Sequence, residues 1–498
     1  MITANYISKN IFKELIKKYN TVNINQIESD IIKIVDSFSS KPWISQEYIF
    51  NNINCKNKEY LKDLNKVVRE NAELQLIITK NSAAKKYWNT ILPFSYRVND
   101  VINNNYKFPL RIAIFPGVSC MFYCGFCGRN QKAKYETSII DDGINRINNM
   151  LSDAGANTKI SISGGLEPLT NPKLGRIIQK GSDLGFKMPL ITNAYSLTEG
   201  YIKKNPEIWL LDSLRVSLYG HDADSYKNIT QVDKSFKMVK RNVVSFLRSR
   251  NEINKKLKVG FNFIILPENY NNLKDVLKLI NEINSEVTNG EGINFLTLRD
   301  DYQSVTGQDE SLDTERKYRL NGSMNEDDRK NLLKIIENFE ELRSQYCPTL
   351  HVDYGYSLEY LSQKIFDRGL VKIDGEKIRS YGFTQLSVAI DLHGDIFLFR
   401  EAGFLNREGN EKVIIGRLDG QKNSLEKNIK NFLKNKKPIS FDGNDSRLLD
   451  SFDHVLNALV NQAEQDEKFG IPLNLGPIAF KNFDVKESLG NNWYSDDI

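Results

Sequence analysis

From Leu110 onward the chain alternates short apolar segments with helical patterns six times, and no other feature narrows its fold as far. The apolar segments fall at 111–115, 159–163, 189–192, 214–218, 259–266 and 293–298. Ile140, Ile144, Ile147 and Leu151 make one of the intervening helical stripes, and 236–247 and 273–283 carry two more. Strands that alternate with helices are joined by crossovers, and crossovers build a parallel sheet. The class is therefore α/β. Pattern alone leaves an open doubly wound sheet and a partial barrel as alternatives. Local signals set provisional boundaries. Ser138 is read as an N-cap with Asp141 three positions on, and Asn171 as another with Pro172 at the first helical position and Gly185 past the end.

The flanks follow other rhythms. Residues 11–86 read as helical, with Phe12, Leu15 and Ile16, then Ile27, Ile31 and Val35, then Leu61, Leu64 and Val67 at helical spacing; this region ends near 88–93. Beyond the last strand, 303–322 is polar and reads as a loop, and 325–345 reads as a helix with Leu332, Ile336 and Phe339 on one face. Segments 386–392 and 395–399 alternate around His393-Gly394, the pattern of a β-hairpin. The expected organisation is a helical region at 1–107, an α/β region at 108–302, and an α+β region at 303–498 with the hairpin near 386–400. No internal repeat is found.

A chain of 498 residues exceeds one ordinary domain. Its net charge of +5 is small for that length, which argues against nucleic acid or a membrane surface as partner. No basic leader precedes an apolar run at the N-terminus, and no stretch of about 18 apolar residues exists to span a bilayer. Five cysteines are too few for a secreted disulfide scaffold. The expected compartment is a reducing cytoplasm.

Three of those cysteines lie on one loop after the first strand: Cys120-Met-Phe-Tyr-Cys124-Gly-Phe-Cys127. Three thiolates can hold three irons of a 4Fe–4S cube and leave the fourth iron open to chelate an amine and a carboxylate. A zinc site wants a fourth ligand, and none is near in sequence, although Cys347 and four histidines stand farther off. Three buried structural thiols are a further alternative, but the polar, glycine-rich flanks argue against it. Ser163-Gly164-Gly165-Leu166-Glu167-Pro168 closes the second strand. Glycines there let backbone approach a ligand, and a carboxylate can pair with an ammonium.

The C-x3-C-x2-C spacing, with aromatic Phe126 before the last cysteine, resembles the defining motif of the radical S-adenosylmethionine (SAM) superfamily. The resemblance implies a six-unit partial (β/α) barrel. It also implies one 4Fe–4S cluster on Cys120, Cys124 and Cys127, with SAM as cosubstrate. Gly164, Gly165 and Glu167 are similar to the family's Gly-Gly-Glu motif, which takes the amino group of SAM, with Leu166 as an inserted residue. Asn193 beside Thr192, and Arg215 and Ser217, occupy strand ends that in this family contact the ribose or carboxylate of SAM. The 386–400 hairpin carries no cysteine, and Cys55 and Cys347 are far apart, so a single cluster is expected.

A narrower resemblance runs nearly the whole chain. Lys86-Tyr-Trp-Asn-Thr-Ile-Leu-Pro93, Ser217-Leu-Tyr-Gly220, Arg299-Asp-Asp-Tyr302, His351-Val-Asp-Tyr-Gly-Tyr356 and 391–404 fit one subfamily, the radical SAM ammonia-lyases acting on TDP-4-amino-4,6-dideoxyglucose. That implies a nucleotide-sugar substrate, loss of ammonia from carbon 4, and a one-electron reductant such as flavodoxin or ferredoxin. A dehydratase or dehydrogenase acting on a related diol or hydroxy sugar is the alternative. Such chemistry asks for a base near the carbon-3 hydroxyl and cations for a diphosphate. Arg299, Asp300, Tyr302 and Glu268 are the candidates, with His221 behind them. Asp353, Tyr354 and Tyr356 are candidates to close the site, while Arg400 and Glu401 end the hairpin and could equally be a structural pair.

Overall fold

The structure is a computed structural model. It describes residues 9–41, 44–53, 57–128, 133–155, 158–253, 255–287, 289–300, 324–365, 384–407, 409–435 and 448–471. The chain forms two compact units, a smaller one of Met1–Asn105 with His454–Asn491, and a larger one of Tyr106–Asp453 with Asn492–Ile498.

The smaller unit is helical among its described residues, from Lys9–Lys18 through Val98–Ile102. Each helix turns an apolar stripe inward, for instance Ile27, Ile31, Ile34, Val35 and Phe38 of Ile24–Ser40. The buried indole of Trp88 donates to the Phe38 carbonyl at 2.7 Å, and the two rings meet edge to face at 5.7 Å. Helix continues past the expected end at 88–93. Pro93 sits inside Lys85–Ser95, and Val98–Ile102 follows.

The larger unit is mixed α/β around a single, mostly parallel sheet. Its strands are β1 (Arg111–Phe115), β2 (Lys159–Ile162), β3 (Pro189–Thr192), β4 (Ser213–Leu218), β5 (Lys258–Ile265), β6 (Phe295–Asp300), β7 (His351–Tyr354), β8 (Ser387–Asp391), β9 (Asp395–Phe397) and β10 (Ile414–Arg417). Their order is β10-β9-β8-β1-β2-β3-β4-β5-β6-β7, and all pairs are parallel except β8–β9 and β9–β10. The sequence boundary at 302/303 therefore cuts a continuous sheet. β7 pairs with β6, and the hairpin strand β8 lies directly against β1. Sequence distance hid this, because parallel pairing puts no limit on how far apart two strands lie in the chain.

The strands divide their residues by period two. Ile112, Ile114, Ile160, Ile162, Val259 and Leu298 join the apolar cluster shared with the covering helices. The alternate positions are more polar: Ser161, Arg215, Ser217, Asn262, Thr297 and Arg299. Register sets Ser217 beside Asn262, and Asn262 beside Thr297.

Two expected caps are corrected. A 3-10 turn, Thr137–Ile139, leads into Ile140–Asp153, so Ser138 caps nothing. Asn171 ends a 3-10 turn, Pro168–Thr170, and the helix starts only at Leu174. The Asn171 side chain does two jobs: its Oδ1 accepts from the Lys173 amide at 2.9 Å, as a cap would, and its Nδ2 donates to the Pro116 carbonyl at 2.8 Å. The 325–345 helix is two, Glu326–Glu337 and Phe339–Tyr346. The expected loop at 303–322 lies outside the described residues. Gly185 does follow a helix end in the left-handed region, and Gly394 turns the hairpin there too.

Candidate active site

The cysteine loop leaves β1 at the carboxyl edge of the sheet and is tied down along its length. Its Tyr123 amide donates to the Thr230 carbonyl at 2.9 Å, and the Tyr135 amide returns to Val118 at 2.8 Å. Thr170 Oγ1 accepts from the amides of Val118 and Ser119. Beneath the loop, Phe122 meets the rings of Tyr195, Tyr219 and Tyr226 edge to face at 5.6, 5.8 and 6.2 Å. Burial pushes the Tyr219 and Tyr226 phenols well above their ordinary value. Cys124 is buried, Cys120 and Cys127 are partly so, and all three are free thiols. Together they line a cavity of about 200 Å³.

The glycine motif forms the adjoining wall. Gly164 adopts φ +138°, and a Cβ on Gly165 would stand 2.4 Å from the Phe404 ring. The extra residue, Leu166, packs into the apolar core, and Glu167 is buried beside the cysteine loop. One carboxylate oxygen of Glu167 accepts from the Leu169 amide at 3.0 Å and from the Thr192 hydroxyl; the other accepts from the Asn193 amide at 2.7 Å. The Glu167 amide itself donates to Ser119 at 2.9 Å. Burial raises the Glu167 carboxyl against the pull of these donors. The Asn193 side-chain nitrogen lies 3.9 Å from Cys120 Sγ and 3.2 Å from Met121 Sδ, while its Oδ1 accepts from Tyr195.

The wall opposite comes from the hairpin's outgoing segment. Arg400, Glu401 and Phe404 face the cavity with Arg299, and Phe404 lies 6.3 Å from Phe115. The Arg400 guanidinium pairs with Asp450 at 3.0 Å, and its amide donates to Asp453 at 3.2 Å. Burial and the neighbouring Asp450 charge push Asp453 well above the usual carboxylate range. Glu401 Oε2 takes Arg407 Nη1 at 3.1 Å. Burial raises Glu401, opposed by Arg407.

Residues 114–280 match the sequence profile of the Radical SAM superfamily. The dTDP-4-amino-4,6-dideoxy-D-glucose ammonia-lyase of Streptomyces venezuelae is 32% identical over 402 residues, covering 80% of this chain and 79% of that one. The chain belongs to the radical SAM superfamily. This radical SAM enzyme also has low-similarity structural neighbours. Streptococcus suis SuiB bound to the precursor peptide SuiA gives a TM-score of 0.45 at 16% identity, over 68% of each chain. The anSMEcpe structure with bound AdoMet gives 0.42 at 14% identity, over 72% of this chain and 97% of that one. Family membership rests on the sequence relation.

Radical SAM enzymes use a 4Fe–4S cluster with SAM, and the donor set here fits such a group. Three free thiols share one cavity with a glycine cradle and a buried Asn262 Oδ1 that has no hydrogen-bond partner. Among the described residues no three His, Cys, Asp or Glu side chains gather as a single metal ion would need. A cube takes one thiolate per iron and spaces its sulfurs apart. Cys347 takes no part: it is buried, and its thiol donates to the Leu277 carbonyl at 3.3 Å.

Of the residues singled out in sequence, the cavity of this radical SAM enzyme gathers Cys120, Cys124, Cys127, Phe126, Gly164, Gly165, Glu167, Asn193, Ser217, Arg299, Arg400 and Glu401. Arg215 is absent from its lining; one register step below Ser217, its guanidinium lies 5.8 Å from the Phe295 ring. Glu268 is exposed, three residues past the end of β5, and His221 pairs with Asp222 at 3.2 Å beside a helix N-cap. Neither lines the cavity, and nor do Asp353, Tyr354 or Tyr356. Asp300 ends β6, and Tyr302 lies outside the described residues. Phe115, Tyr219, Asn262 and Phe404 are lining residues that sequence reasoning missed. Asn262 had a signal, a lone amide in the apolar run Val259-Gly-Phe-Asn-Phe-Ile-Ile265. No described helix is long and apolar enough to cross a membrane.

Proposed function

We propose that this enzyme eliminates ammonia from carbon 4 of a nucleotide-linked 4-amino-4,6-dideoxy sugar, giving a 3-keto-4,6-dideoxy sugar. The observation that carries this reading is the 32% identity to the Streptomyces venezuelae ammonia-lyase over 402 residues, a span more than twice the stretch 114–280 shared with the superfamily. Cys120, Cys124 and Cys127 hold the cluster. Phe126, Gly164, Gly165, Glu167, Asn193 and Ser217 receive SAM. Arg299 supplies a cation for the diphosphate, and Asp300 and Tyr302 are the candidates for proton transfer at carbon 3. Arg215 and Glu268 drop out of this assignment, since neither lines the cavity.

Bound together, the reduced cluster and SAM supply a 5′-deoxyadenosyl radical that takes the carbon-3 hydrogen. The residues around the sugar then control what leaves. The carbon-3 hydroxyl gives up a proton, ammonia departs from carbon 4 with its bonding electrons, and the carbon-4 radical so formed takes one electron and one proton. A turnover consumes two electrons, the other being spent in SAM cleavage. A flavodoxin- or ferredoxin-type reductant in a reducing cytoplasm is the donor that fits.

Anaerobically reconstituted protein given reductant, SAM and TDP-4-amino-4,6-dideoxyglucose is expected to release ammonia and 5′-deoxyadenosine in equal amounts with a nitrogen-free keto sugar. A 3-keto product that keeps its nitrogen, or dehydration of a diol in place of this reaction, overturns the reading.

A further inference from the structure

We infer that Glu401 is the carboxylate that receives the carbon-4 ammonium of the substrate and so selects an amino sugar over a hydroxy sugar. The inference rests on the ammonia-lyase reading and deepens it. Two acids line the cavity, Glu167 and Glu401. Both oxygens of Glu167 already accept from fixed donors: the Leu169 amide, the Thr192 hydroxyl and the Asn193 amide. Among the described residues Glu401 accepts one bond, from Arg407 Nη1 to Oε2, which orients the carboxylate and leaves Oε1 to face a ligand. The adjacent Arg400 acts on it only through space, since that guanidinium makes its ion pair with Asp450 at 3.0 Å.

Position supports the same role. Glu401 stands on the wall that also carries Arg299 and faces the cavity containing the three cysteines. The chain just after it is closely packed. A Cβ on Gly403 would meet the Phe115 ring at 2.6 Å, and Phe404 occupies the space a side chain at Gly165 would need. A carboxylate fixed in this way costs little further ordering when a cation arrives. Ammonia leaves carbon 4 readily only while its nitrogen is protonated, and an adjacent carboxylate counter-ion keeps it so. A 4-hydroxy sugar offers no cation and leaves Oε1 without an ionic partner.

The test uses reconstituted Glu401→Gln and Glu401→Asp enzymes. Three quantities are measured: kcat/KM for ammonia release from the 4-amino sugar, kcat/KM for ketone formation from its 4-hydroxy analogue, and iron per chain. Glu401→Gln should keep its iron and lose about 100-fold on the amino sugar, the scale for removing one partner of a buried charge pair. Activity on the hydroxy analogue should stay within about threefold, since no charge pair is lost there. Glu401→Asp, which keeps the charge, should fall between wild type and the Gln variant on the amino sugar. An unchanged amino-sugar rate, or equal losses on both sugars, overturns the assignment. Should the Gln variant lose its iron, Glu401→Asp decides alone: it must retain preference for the amino sugar, and equal losses overturn the role. Failure of the ammonia-lyase reading looks different, because wild type itself would then release no ammonia.

Discussion

Glu167 and Glu401 stand in the walls of one cavity, the first buried and the second partly exposed, and the protein anchors them differently. Glu167 is anchored on both oxygens. Three donors from two segments converge on its carboxylate, and its own amide reaches the cysteine loop, so the residue joins β3, the glycine turn and the loop into one knot. Glu401 is held by a single charged partner and keeps one oxygen open. Burial raises both carboxyls, so the pKa shift does not separate their roles. The count of fixed donors does. Glu167, anchored on both oxygens, keeps one acceptor site for the amino group of SAM, and Glu401, anchored on one oxygen, keeps the other whole for a second ligand.

The cysteines divide in the same way, and that gives the largest expected effect. Replacing Cys120, Cys124 or Cys127 with Ala should abolish 5′-deoxyadenosine formation and lower iron from about four per chain, the content of one cube. Cys347→Ala should leave iron unchanged, because its thiol is already engaged with the Leu277 carbonyl. Cys55, outside the described residues, should behave likewise. Full activity in any of the three loop variants would break the cluster assignment, and a count near eight would reveal a second cluster.

Glu167→Ala tests the more firmly anchored side. It strands the Leu169 and Asn193 amides and the Thr192 hydroxyl, and each buried orphan costs roughly 1–3 kcal/mol, so a loss of about 3 kcal/mol or more is expected from denaturant titration. Iron retention should fall with it, since Ser119 and Cys120 share the loop. Wild-type stability would show that the knot carries no load and would erase the contrast with Glu401.

Asn193→Ala should give the smallest effect. It removes an amide 3.9 Å from Cys120 Sγ while leaving the backbone bond to Glu167 in place. Hydrogen bonding to a cluster sulfur stabilises the reduced, more negative state, so the midpoint potential should move to a more negative value with iron content unchanged. An unchanged potential in a redox titration would confine Asn193 to contact with SAM.

Much of this was legible in the chain itself. Periodicity carried the strands β1–β6, because burial on both faces leaves short apolar runs that a sequence displays directly. The cysteine spacing and the glycine pair marked one half of the cavity because their chemistry is local, three donors on one loop and a turn that admits no side chain. The hairpin was legible from alternation around Gly394. Its place was not. Nothing within 386–400 states that β8 pairs with β1, a partner more than 270 residues away, so Arg400 and Glu401 read as a structural pair at the end of a separate region. Arg215 failed for the complementary reason. A strand-end position names a rim, but one register step moved its guanidinium below the cavity and against Phe295. By itself the sequence determined the strand–helix order, the thiolate loop and the glycine turn, which depend on neighbours in the chain. Only the tertiary structure decided how firmly each of the two acids is anchored, because that depends on donors brought together from segments far apart in sequence.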